Sequence, residues 1–183
     1  MNSLPQTLRV LVIGASGSGT STLGRAMAAH LGCPFYDLDD FYWLCSTPAF
    51  TSKRPHLERL CMALAALHSN RCCIMAGSPD TWGDALENGY THIIFLSLDA
   101  KIRVERLAQR ETQGFGYADP AFLDWAAQYD EGRLRGRSRA IHERWLAARQ
   151  CPVLRLEGDQ STEERRNSAL DFLQHTSTTA QSC

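Results

Sequence analysis

Residues 8–31 read LRVLVIGASGSGTSTLGRAMAAHL, and the order of textures within them decides the architecture. Leu8 to Ile13 is a short apolar run rich in β-branched residues, the pattern of a strand buried on both faces. The loop Gly14-Ala15-Ser16-Gly17-Ser18-Gly19-Thr20-Ser21 follows. From Thr20 onward, Leu23, Met27 and Leu31 recur at helical spacing, and Gly32 ahead of Cys33-Pro34 supplies a left-handed cap and a stop. The reading is strand, glycine loop, helix. The loop satisfies the phosphate-cradling pattern G-x-x-x-x-G-K-[ST] at every position but one, because Thr20 stands where the lysine belongs. Glycines matter there because successive backbone N–H groups converge on one anion only where the chain accepts positive φ and no Cβ blocks approach. The helix that begins near Thr20 turns its positive dipole end toward the same anion. The alternative is a ligand-free glycine turn. Position directly after the first buried strand, the helix offset and the Ser21-Thr22 pair favour phosphate binding.

Outward from this unit, strand and helix keep alternating. Short strands are expected at Pro34 to Tyr36, Cys72 to Ala76, His92 to Leu98 and Pro152 to Leu156. Helices are expected at His56 to His68, near Asp80 to Glu87, from an Asp99 cap, at Pro120 to Tyr129, at Arg137 to Arg149 and from Thr162, before a polar, frayed tail HTSTTAQSC. Parallel strands need long crossovers, so five strands separated by helices predict an α/β fold, a five-stranded parallel sheet with helices on both faces. Ligands of such sheets sit beyond the carboxyl ends of the strands. No repeat or linker divides the chain, which reads as a single domain of 1–183; the segment from about 114 to 149 is too long for a plain connection and is expected to form a helical lid.

Bulk composition narrows the function classes. A net charge of −1 gives no whole-molecule reason to expect nucleic acid or an anionic membrane as partner. Seven cysteines with no C-x-x-C pair indicate neither a zinc site nor a disulfide framework, and histidines at no ligand spacing add no metal site. The N-terminus shows no basic start followed by an apolar stretch, and no run approaches the ~20 apolar residues of a membrane span, so a cytoplasmic protein without a membrane anchor is expected.

With these residues in view, the chain resembles the P-loop small-molecule kinases, a superfamily that includes shikimate, nucleoside monophosphate, and uridine or nicotinamide riboside kinases. GASGSGTSTLGRAMAAHLG looks like their loop and first helix, LDDFYW (38–43) like the segment after the second strand of the nucleoside kinases, and FLSLDAKIRVERLAQRE (95–111) like the fourth strand and the arginine-bearing helix leading into the lid. CPVLRLEGD (151–159) is similar to the last strand and base-binding turn. The chain departs from the pattern at Thr20 and at MAGSPD (75–80), which lacks the acid and arginine of D-G-x-P-R.

The resemblance implies the three-layer sandwich of the P-loop NTPases, with ATP and Mg²⁺ as cofactors and a nucleoside triphosphate plus a small-molecule acceptor as partners. Residues Gly14 to Ser21 and Thr22 would hold the triphosphate, with the Ser21 hydroxyl on Mg²⁺. Asp37, Asp39 and Asp40 follow the second strand; matched to the family segment, Asp39 is the candidate base and Asp37 the acid of the metal shell. If that segment stays extended, Asp37 and Asp39 share a side and Asp40 points away; the alternative is an acidic turn that caps the next element. Arg106 and Arg110 match residues that contact adenine or phosphates, and Arg137, within a cluster with Arg133, Arg135 and Arg139, is the candidate stand-in for the missing lysine. Against this stands a solvated arginine face paired with acids. Lys53 and Arg54 are candidates for an anionic group of the acceptor; Phe41, Tyr42 and Trp43 either stack on a ligand or fill the core, and Phe122, Trp125 and Tyr129 read as a packed helix face. The leading expectation is transfer of the γ-phosphoryl group of ATP to a hydroxyl. A nucleotide-binding module or slow ATPase is the second reading, motivated by Thr20, and nucleic-acid binding by the arginine cluster is a third that the net charge opposes.

Overall fold

The computed structural model describes residues 7–47, 49–132 and 137–179. In chain order the elements are β1 (Leu8–Gly14), α1 (Thr20–Leu31), β2 (Phe35–Asp37), α2 (Leu38–Tyr42), α3 (His56–His68), β3 (Cys72–Ala76), α4 (Asp84–Glu87), β4 (His92–Ser97), α5 (Ala100–Phe115), α6 (Pro120–Ala127), α7 (Arg139–Ala147), β5 (Val153–Glu157) and α8 (Thr162–Thr179). The strands form one parallel sheet in the order β2-β3-β1-β4-β5. β1 lies at its centre, with Val12 registered against Ala76 on one side and Ile94 on the other.

Strand alternation splits the core in two. Leu11 and Ile13 of β1 join Met75, Ile93 and Phe95 under α3, α4 and α7, which contribute Leu67, Leu86, Trp145 and Leu146. Leu8, Val10 and Val12 join Ile74, Ile94 and Leu156 under α1 and α8, through Leu23, Met27, Ala169 and Leu173. Helices on both faces of a parallel sheet are what makes its strands read as unbroken apolar runs.

Helix ends follow from local side chains. Asp99 and Asp119 accept from the backbone N–H of Lys101 and Ala121, and Ser161 and Glu164 form a reciprocal capping box at the start of α8. Three elements differ from the sequence reading. Only one turn forms in the 80–87 stretch, because Thr81 sits at φ 69 and Gly83 at φ 115, neither helical. The acidic turn after β2 is a helix, α2, with Asp37 as its N-cap. The tail is helical through Thr179, and Thr176 lies 3.0 Å from the buried His92. Among the described residues no helix is long and apolar enough to cross a membrane.

Candidate active site

The loop from Gly14 to Thr20 joins the central strand to α1 at the carboxyl edge of the sheet. Gly17 and Gly19 have φ of 81° and 96°. A Cβ on Gly17 would lie 2.5 Å from the backbone oxygen of Arg103, so that position needs glycine for contact as well as for conformation. Gly19, the N-cap of α1, offers no side chain to the first amides of this twelve-residue helix, which are left for a ligand. Ser18 is wholly buried and its hydroxyl has no partner. The uncapped amides at the start of α1 and the positive-φ glycines before them fit a phosphate group.

Beside the loop, the Ser21 hydroxyl donates to Asp37 Oδ2 at 2.6 Å, bringing together two hard oxygen donors of the kind Mg²⁺ takes. The other oxygen of Asp37 accepts from the Asp39 N–H at 3.2 Å, so one carboxylate both caps α2 and faces Ser21. The segment is helical, so the shared side that an extended Asp37 and Asp39 would have does not apply, and the capping alternative holds for Asp37. Asp39 is half exposed, with its Oδ1 3.5 Å from Arg137 Nη2. Arg25, one turn beyond Ser21, approaches Asp37 at 3.8 Å. Burial, with the charge of Asp37 adding to it, pushes the Asp40 carboxyl up. Among the described residues no group of three or more His, Cys, Asp and Glu is arranged to hold a metal.

The remaining sequence candidates are dispersed. Arg106 of α5 pairs with Asp159 at 2.5 Å in the turn after β5, and Arg110, well exposed, pairs with its neighbour Glu111 at 2.8 Å. Arg54 donates from Nε to the Phe41 carbonyl and from Nη1 to Glu58, while Lys53 lies 5.7 Å from the Tyr42 ring. Both therefore brace the aromatic residues at the end of α2. Tyr42 itself stacks near Trp82, and the Arg59 guanidinium lies 4.5 Å from Tyr42 and 5.0 Å from Trp82. Arg133 and Arg135 lie outside the described residues.

Three features escaped the sequence reading. Asp80, just past β3, carries a carboxyl pushed up by burial and pulled back by the charge of Arg137, the residue that approaches Asp39. Its signal was available, since an acid beyond the carboxyl end of a buried parallel strand is where such folds bind ligands. Arg103 and Arg165 are buried arginines under the loop. Lastly, Ser78 Oγ and Tyr129 Oη hold the two ring nitrogens of His142 at 2.8 Å each, joining the β3 end to α7 and the segment after α6.

His142 has no exposed surface, and burial, aided by the charge of Arg137, pulls its pKa down to about 4 from the usual 6.5. Above pH 6.5 the ring is neutral in both folded and unfolded chains. Between pH 6.5 and 4 only the unfolded chain takes up the proton, so stability falls by up to about 1.4 kcal/mol per pH unit and ~3 kcal/mol in all. His142→Gln removes that term. In urea melts from pH 7 to 4.5 the stability gap between wild type and variant should close as pH falls, and parallel curves would show that His142 does not titrate this way.

No protein-family model matches the sequence. The chain is 40% identical over 172 residues to the "Uncharacterized protein YqaC" of Bacillus subtilis (strain 168), covering 88% of this chain and 95% of that protein. Among solved structures, a gluconokinase from Sinorhizobium meliloti 1021 superposes with a TM-score of 0.57 at 17% identity over 96% of this chain and 97% of that one. A shikimate kinase from Aquifex aeolicus vf5 superposes with a TM-score of 0.59 at 20% identity, covering 92% and 98%. The chain belongs to the family of Bacillus subtilis YqaC and carries the fold of the P-loop small-molecule kinases.

Proposed function

We propose that this protein is an ATP- and Mg²⁺-dependent kinase that moves the γ-phosphoryl group to a hydroxyl of a small acceptor. The observation that carries the reading is the Ser21–Asp37 contact at 2.6 Å on the flank of the uncapped loop, with Asp39 one residue into the helix that Asp37 caps. Loop amides from Gly14 to Thr22 would hold the phosphates, and Ser21 and Asp37 the metal, which when bound neutralises phosphate charge. Asp39 accepts the acceptor's proton as its oxygen attacks phosphorus and the bond to the leaving diphosphate breaks. Arg137, at 3.5 Å from Asp39, orients that carboxylate and is near enough to the acceptor side to meet developing charge there. A hydroxyl acceptor is favoured over a phosphate because an ionised nucleophile would need no base. Gluconokinase and shikimate kinase, whose folds this chain shares, supply the acceptor classes to try first. Free thiols at Cys33, Cys45, Cys61, Cys72, Cys73 and Cys151 fit a reducing cytoplasm.

The segment 114–149 is read as the cover of the site only in its first part, because Trp145 and Leu146 of α7 belong to the core. Thr20 supports a second reading, a nucleotide-binding module or slow ATPase, because that side chain brings no charge to the transferring group. A screen for ADP release from Mg²⁺-ATP with hydroxy acids, sugars and nucleosides separates the two. The kinase reading expects one acceptor class to raise turnover at least tenfold over the acceptor-free rate. Saturable ATP binding with no stimulation by any acceptor would favour the module.

A further inference from the structure

Arg165, in the first turns of α8, is buried to 4% exposure directly behind the phosphate loop. Its Nη1 donates to the Ser18 carbonyl at 2.7 Å and its Nη2 to the Gly158 carbonyl at 2.8 Å, while the buried Nε has no partner. Nη1 also lies 3.2 Å from the position a Cβ would take on Gly19. Among the described residues no salt bridge balances this guanidinium, and Asp159, the acid whose charge reaches it, is itself engaged by Arg106. A buried charge without a counter-ion is unfavourable unless an anion completes the site. The loop in front of it is where that anion would sit.

We propose that Arg165 supplies from behind the loop the positive charge that Thr20 does not supply from within it, acting as a positioning residue through the Ser18–Gly19 peptide. A trans peptide points its C=O and N–H in opposite directions. A guanidinium on the Ser18 oxygen therefore polarises the Gly19 N–H on the far side, and charge-assisted bonds are the stronger kind. Arg103 makes a longer approach to the next alternate carbonyl, Ser16, at 3.5 Å, but its charge is answered by Asp130 at 2.7 Å. That leaves Arg165 as the uncompensated cation of the pair. The arrangement predicts selectivity for nucleotides that carry a second phosphate, whatever their acceptor chemistry. This inference rests on the nucleotide-binding reading above.

The test is equilibrium binding of ATP, ADP and adenosine, with Mg²⁺, to wild type, Arg165→Gln, Thr20→Lys and the double variant. Arg165→Gln should weaken ATP and ADP about tenfold or more and leave adenosine within twofold, and Thr20→Lys should restore most of the loss. Unchanged ATP affinity in a folded Arg165→Gln protein overturns the proposal. Equal loss of ATP and adenosine also overturns it, since that is what a merely structural clamp on the Gly158 turn would give. Should Arg165→Gln not fold, Arg165→Lys, whose single ammonium cannot span both carbonyls, takes its place. Thr20→Lys must then gain more affinity for ATP in the Arg165→Lys background than in wild type, and equal gains count against the proposal. Wild type that binds no nucleotide would bring down the nucleotide reading and this inference together, whereas intact wild-type binding with an indifferent Arg165 brings down this inference alone.

Discussion

Asp39→Asn should lower kcat by about 10² to 10⁴-fold, the range a positioned general base contributes, with ATP affinity changed less than about threefold. The substitution is nearly isosteric. It keeps the backbone N–H that Asp37 accepts from, so α2 and its cap survive, and it removes only the side-chain charge and the proton acceptor. Steady-state kinetics with the stimulating acceptor and separate nucleotide titrations measure the two halves. Asp37→Asn provides the contrast. That carboxylate accepts from the Ser21 hydroxyl, so its loss should raise the Mg²⁺ concentration needed for half-maximal rate while saturating Mg²⁺ recovers part of it. If Asp39→Asn kept wild-type turnover, the proton would have another destination, and Asp80, the acid just past β3 that the charge of Arg137 also reaches, would be the residue to replace next.

The unit that decides the fold was legible because its information is local. α1 runs from Thr20 to Leu31, as the spacing of Leu23, Met27 and Leu31 predicts, and Gly32 at φ 64 ends it. β3 is Cys72–Ala76, the whole of the apolar run CCIMA. The shape of the Asp37–Asp39 segment was not legible. An N-cap followed by five helical residues is too short for a periodic pattern, so an acidic turn was all that LDD could announce. What stayed hidden depends on partners far away in the chain. His142 meets Ser78 across 64 positions, and Arg165 meets Ser18 across 147. Local charge spacing treats arginines alike: Arg103, Arg106 and Arg110 recur three and four apart on one helix, yet the first of them is core and the other two are exposed.

That difference among three arginines on one helix gives the second large effect. Arg103, 1% exposed, donates from Nε to the Leu98 carbonyl at 2.9 Å, from Nη1 to the Ala126 carbonyl at 3.1 Å and from Nη2 to Asp130 at 2.7 Å, with its guanidinium 5.2 Å from the Tyr129 ring. It ties α5 to α6 and to the segment that carries Tyr129, while its own backbone oxygen forms the floor under Gly17. Arg103→Met keeps much of the volume, so little cavity opens. It leaves two buried carbonyls without donors, each worth about 1–3 kcal/mol. The net expectation is a loss of ~3 kcal/mol, and at about 2–4 °C per kcal/mol for a chain of this size, a drop in Tm of ~6–12 °C. Arg106→Met, which removes a half-exposed partner of Asp159, should stay within about 1 kcal/mol of wild type. Thermal melts of the two variants in one buffer decide it, because an Arg103 that were merely part of a solvated face would give the same small shift as Arg106. Because the floor of the phosphate loop moves with α5, Arg103→Met should also weaken ATP binding in the surviving folded protein, whereas Arg106→Met should touch at most the turn at Asp159.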